Sequence, residues 1–122
     1  MSLNSCRSNI ERLTKDIASL KKNIAKEHEK IVQLQSNISS IKCSITNTKS
    51  SSILQSRQRQ IDTKEKEVAR CLKKIADLEG KNAVKLAELN RNSNNMAKAE
   101  EQETKKRASK SKKYRDQELS KI

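Results

Sequence analysis

Five residues have side-chain chemistry that does more than pack: His28, Cys6, Cys43, Cys71 and the isolated acid Glu27. A histidine acting as general base needs an orienting partner and a pocket. The spacing instead puts His28 on a helix surface, beside the polar position at Glu27. The cysteines are odd in number and form no CxxC pair, and with a single histidine they match no zinc pattern. Cys6 and Cys71 fall on apolar stripes and read as small core hydrophobes, while Cys43 falls on an outer face. A redox thiol would need exposure and a lowered pKa. Glu27 interrupts an apolar series, a placement that in coiled coils fixes register. There is no glycine-rich phosphate loop, nucleophile elbow or paired-carboxylate pocket. We therefore expect no catalytic residues, no metal and no cofactor: the 122 residues are not an enzyme by this reading. Reduced thiols suit a cytoplasmic location.

The other chemical signal is charge. The chain carries +13 at pH 7. Residues 105–122 hold eight basic residues against two acidic ones, a net +6. Lys105, Lys106, Arg107, Lys110, Lys112, Lys113 and Arg115 are candidate anion-binding residues. Such a run can neutralise phosphates or sit on an anionic membrane surface. Tyr114 is the one aromatic residue, and no nucleic-acid reader motif accompanies it. The plainer reading is a solvated basic helix end or linker.

The elements carrying these residues follow from composition and period. There is no proline, tryptophan or phenylalanine, and only one glycine, Gly80. A compact core with tight turns is hard to build from such a chain. A 35% charged fraction and a mean hydropathy of −0.98 would also suit disorder. Periodicity decides against it. Leu3, Ile10, Ile17, Ile24, Ile31, Ile38 and Ile45 alternate with Cys6, Leu13, Leu20, Glu27, Leu34 and Ile41. These are the a and d positions of a heptad repeat, and twelve of the thirteen are apolar. No segment supplies the roughly 20 consecutive apolar residues of a membrane span.

The stripe stops at Thr46–Ser52, a small polar run with poor helix propensity. Ser52 and Gln55 fit a capping box that restarts a helix. The second stripe has a positions Leu54, Ile61, Val68, Ile75, Asn82, Leu89 and Met96, and d positions Arg57, Lys64, Cys71, Leu78, Lys85, Asn92 and Ala99. Only nine of these fourteen are apolar, and Leu72, Val84 and Leu86 lie off the stripe as a second contact face. The expected layout is a first coiled-coil helix over residues 1–47, a polar turn over 48–52, a second coiled-coil helix over 53–104, and a basic helical extension or linker over 105–122.

The fold class is all-α, a long coiled coil. A polar break after some 45 residues favours an antiparallel helical hairpin over a parallel rod, with an arm about 65–70 Å long at about 1.5 Å per residue. Two registers compete. One sets Lys30 opposite Glu67 and Asp16 opposite Lys81; the other, with a shorter loop, sets Lys30 against Lys74 and Asp16 against Glu88. The expected core is Ile10, Leu13, Ile17, Leu20, Ile24, Ile31, Leu34, Ile38 and Ile41 with Ile61, Val68, Ile75, Leu78 and Leu89. The unequal stripes predict a homo-oligomer, two hairpins pairing into a four-helix bundle. Two other readings stand beside this one: a basic nucleic-acid-binding helical module, and an adaptor whose first stripe accepts a partner helix.

The order of segments also carries a resemblance. Arg7-Ser8-Asn9-Ile10 leads into the heptads; Ser44-Ile45-Thr46-Asn47-Thr48-Lys49-Ser50-Ser51-Ser52 is followed by Leu54-Gln55-Ser56-Arg57-Gln58-Arg59-Gln60-Ile61; Lys74-Ile75-Ala76-Asp77-Leu78-Glu79 precedes a Lys/Glu/Gln-rich exit. This resembles the N-terminal coiled-coil region of bacterial proteins with a C-terminal Toll/interleukin-1-receptor-like (TIR-like) or related nucleotide-processing effector domain, associated with phage defence. The resemblance implies a non-catalytic assembly or spacer segment. It also implies a further domain after Ile122, where a basic helical pattern runs on without a stop signal. Gly80 and Asn92–Asn95 are the expected weak points of the second helix.

Overall fold

The computed structural model describes residues 2–120. Two helices account for nearly all of them: α1, Leu3–Ile45, and α2, Ser51–Leu119. They pack antiparallel as an all-α helical hairpin. Two compact units divide it, Ile17–Ala83 around the turn, and Met1–Asp16 with Val84–Ile122.

Hydroxyl side chains shape both ends of α1. At its start Ser2 Oγ accepts from Ser5 N at 3.2 Å, an N-cap that satisfies a first-turn amide. At its end no residue adopts positive φ, so no left-handed cap closes the helix. Instead Ser44 Oγ donates to Ile41 O at 2.6 Å, Thr46 Oγ1 to Cys43 O at 2.7 Å and Thr48 Oγ1 to Ser44 O at 3.1 Å. The Cys43 and Ser44 carbonyls, which would otherwise lack helical partners, are thereby satisfied. On the far side of the turn Leu54 N donates to Ser50 O at 3.0 Å. Ser50 therefore flanks α2, and the Ser52–Gln55 pair lies inside the helix rather than at its start.

The register is fixed by side-chain contacts whose residue numbers add to 101. In the turn-proximal unit Arg57 Nη1 donates to Ser44 Oγ at 2.6 Å and Lys74 Nζ lies 3.2 Å from Glu27 Oε1. In the other unit Lys85 Nζ lies 3.4 Å from Asp16 Oδ2, and Asn9 Nδ2 donates to Asn92 Oδ1 at 3.1 Å. Of the two registers open to the sequence, this is the one with the shorter loop. It sets a positions of one helix level with d positions of the other: Ile24 with Leu78, Ile31 with Cys71, Leu34 with Val68 and Ile41 with Ile61, and Leu13 with Leu89 in the second unit.

Every a and d position of both stripes is buried or half-buried. Leu13 and Cys6 are fully buried, and Ile17, Ile31, Ile38, Ile61 and Ile75 nearly so. Complete burial of a leucine or isoleucine side chain contributes roughly 1.5–3 kcal/mol. α2 runs unbroken through Gly80 and through Asn92–Asn95. Asn92 holds its place by donating to Glu88 O at 2.8 Å while accepting from Asn9. Beyond Ala99 no described residue of α1 stands level with α2, and residues 100–119 are all exposed.

Candidate functional site

Among the described residues Glu27 is the buried charged side chain, and a cluster of charged groups surrounds it. This d-position acid is only 5% exposed. Its Oε1 accepts from Lys74 Nζ at 3.2 Å and from Lys30 Nζ at 3.3 Å. Both ammonium groups belong to side chains about 60% exposed, so the cations stay hydrated while the acid does not. The bond from Lys74 holds the Glu27 carboxyl below its ordinary value of 4.5, against the opposing effect of burial; donation from Cys71 and Lys30 adds to the lowering. Burial, then the neighbouring Glu27 carboxylate, pushes the Cys71 thiol above its ordinary 9.0. A thiol held protonated is a poor nucleophile. The cluster lines a groove of about 370 Å³ that also touches Glu67 and Arg70.

This arrangement explains how Lys30 and Lys74 tolerate one face of the hairpin. Glu27 stands between them and bonds to both. Asp16 escapes its like-charged partner in the same way, turning to Lys85 at 3.4 Å and Arg12 at 3.7 Å. Three of the four d-position polar residues of α2, which weaken its stripe, are therefore partners of α1: Arg57 bonds Ser44, Lys85 bonds Asp16, and Asn92 bonds Asn9. Sequence reasoning missed these roles. The signal was available, since each α2 partner occupies a d position and each α1 partner a g position. Among the described residues two buried polar atoms have no hydrogen-bond partner, Arg57 Nε and Asn82 Oδ1.

The fourteen expected core residues divide by depth. Leu13, Ile17, Ile31, Ile38, Ile61 and Ile75 are buried. Ile10, Leu20, Ile24, Leu34, Ile41, Val68, Leu78 and Leu89 are half-buried, as a core only two helices thick dictates. All fourteen lie in the intrachain seam, so the first stripe is covered by α2. The seven basic residues from Lys105 to Arg115 are exposed; among the described residues, Lys105 alone of the seven forms an ion pair, 3.3 Å from Glu101. Cys43 is exposed and His28 lies on the surface, as their spacing implies.

No family model, curated protein or solved structure matches this chain. Among the described residues no group of three or more His, Cys, Asp or Glu side chains is placed to hold a metal ion, and no helix is long and apolar enough to cross a membrane. What the arrangement at Glu27 does chemically is to lock a register.

Proposed function

We propose that this chain is a non-catalytic coiled-coil module that self-associates and gathers or spaces the domains attached to it. Following the resemblance, it serves as the N-terminal part of a cytoplasmic bacterial defence effector. The reading is supported by how the seam and the outer faces divide their work. The seam is used within one chain, so association with a second copy falls to an outer face.

In the turn-proximal unit the two faces differ. One carries Lys30, Glu67, Arg70 and Lys74 around the Glu27 groove. The other, marked by Gln35, Lys42 and Glu65 around Ile38 and Val68, carries the exposed apolar residues Val32 and Leu72. It also presents exposed Ala25 and Ala76, which permit close approach. The charges on this face are segregated by helix: Lys21 and Lys42 on α1, Asp62, Glu65 and Glu79 on α2. A twofold axis along the hairpin lays α1 of one copy over α2 of the other. Lys21 then meets Glu79 of the second copy, and Lys42 meets Asp62, with Val32 set over the apolar stretch near Leu72. This single observation carries the proposal: an exposed face that is apolar in the middle and self-complementary in charge. Both copies run in the same direction in such a dimer, so domains attached to them are brought together.

Sedimentation equilibrium at tens of micromolar tests this. The expected species is a dimer of the 13.9 kDa chain. The double variant Val32→Lys with Leu72→Lys is expected to be monomeric with unchanged helicity. A monomeric parent chain would overturn the proposal, as would a variant that still dimerises.

A further inference from the structure

We propose a second activity, independent of self-association: the free end of α2 binds the sugar-phosphate backbone of a nucleic-acid duplex without sequence preference. α2 continues to Leu119, about five turns past the last residue level with α1, and its whole circumference there is exposed. Seven cations occupy residues 105–115, a helical rise of about 16 Å. Duplex DNA carries one phosphate charge per about 1.7 Å of its axis, so a similar length holds about nine or ten. The two charge densities are of the same order.

The distribution of residues favours this ligand over a lipid surface. An interfacial helix needs a broad apolar face opposite its charges. Between residues 105 and 119 the residues that could supply one are Ala108, Tyr114 and Leu119, scattered among lysines. Cations instead project on all sides, so any side of the helix can meet a sugar-phosphate backbone. The heptad positions that continue the seam, Glu103, Lys106, Lys110, Lys113 and Gln117, are polar, so this segment is no coiled-coil partner. Six of its seven cations form no ion pair among the described residues.

Fluorescence anisotropy with the full chain tests the inference, using a 20-base-pair DNA duplex, an RNA duplex of the same sequence, and phosphatidylserine/phosphatidylcholine vesicles, between 50 and 200 mM salt. Binding to duplex is expected with a Kd on the order of 10⁻⁴–10⁻⁶ M at physiological salt and a steep fall with added salt. Replacing Lys110, Lys112, Lys113 and Arg115 by Gln is expected to reduce the log–log salt slope by about 3 to 4, at about 0.9 for each phosphate no longer neutralised. An equal change of net charge elsewhere, Lys15, Lys22, Lys66 and Lys73 to Gln, is expected to leave the slope within one unit. Comparable affinity for the DNA and RNA duplexes supports backbone recognition. Three results would overturn the inference: no duplex binding, equal slopes for the two quadruple variants, or vesicle binding as tight as duplex binding.

Discussion

Glu27 Oε1 and Lys74 Nζ lie 3.2 Å apart across the two helices, joining a buried acid to a cation that remains in water. The pair sits where α1 abandons its apolar repeat, and it selects one register. A slip to the competing register, one heptad or about 10 Å along the helix, would bring Glu67 to the place of Lys74 and set two carboxylates together, with Lys30 the one cation left bonded to Glu27.

Stability should therefore depend on pH through Glu27. Its folded carboxyl lies below the ordinary value of 4.5, so its contribution is fully present above that value. It is lost as pH falls through the lower folded value. Urea unfolding followed by circular dichroism from pH 7 to pH 2 is expected to show this loss, and Glu27→Gln to remove its share of the slope. Glu27→Leu is expected to be no less stable at pH 7, because the exposed lysines remain hydrated without it.

Core depth sets the cost of truncation. Leu13→Ala, at a fully buried position, is expected to cost about 2–5 kcal/mol. Leu78→Ala, half-buried, is expected to cost less than Leu13→Ala in the same urea titration.

Gly80 is a stabilisation site. It is exposed within α2, and a Cβ added there meets nothing within 4 Å. Gly80→Ala is expected to gain about 0.5–1 kcal/mol from helix propensity alone, read as a raised thermal midpoint.

The turn depends on one hydroxyl with two duties. Ser44 Oγ donates to Ile41 O and accepts from Arg57 Nη1. Ser44→Ala leaves Arg57, whose Nε already has no partner, without that bond. The expected cost is about 1–3 kcal/mol. Adding Arg57→Met should recover part of it, and a double-mutant cycle measures the coupling.

Much of the fold was legible because its signals are local or periodic. The α1 repeat announces its buried face residue by residue, and α2 keeps the same period even where its d positions are polar. The register was not legible from flanking charges, because Lys30 facing Lys74 and Asp16 facing Glu88 both look repulsive. What reverses the sign is a core residue, Glu27, and the turn of Asp16 towards Lys85. The start of α2 shifted because Ser50, Ser51 and Ser52 are near-equivalent caps, and the chain's route through the turn chooses among them. Continuity through Asn92 was hidden too, since it rests on a bond to Asn9, 83 residues earlier.

Self-association through the outer face is tested most directly by exchanging one charge pair. Lys21→Glu and Glu79→Lys chains, each alone, place like charges together in the proposed dimer; mixed, they restore attraction at every Lys21–Glu79 contact. Sedimentation of each variant and of their equimolar mixture is the measurement. The expected result is that each variant alone dimerises about tenfold more weakly than the parent chain, about 1.4 kcal/mol, and that the mixture recovers the parent affinity. Parent-like dimerisation of both single variants, or a mixture no tighter than its components, would contradict it.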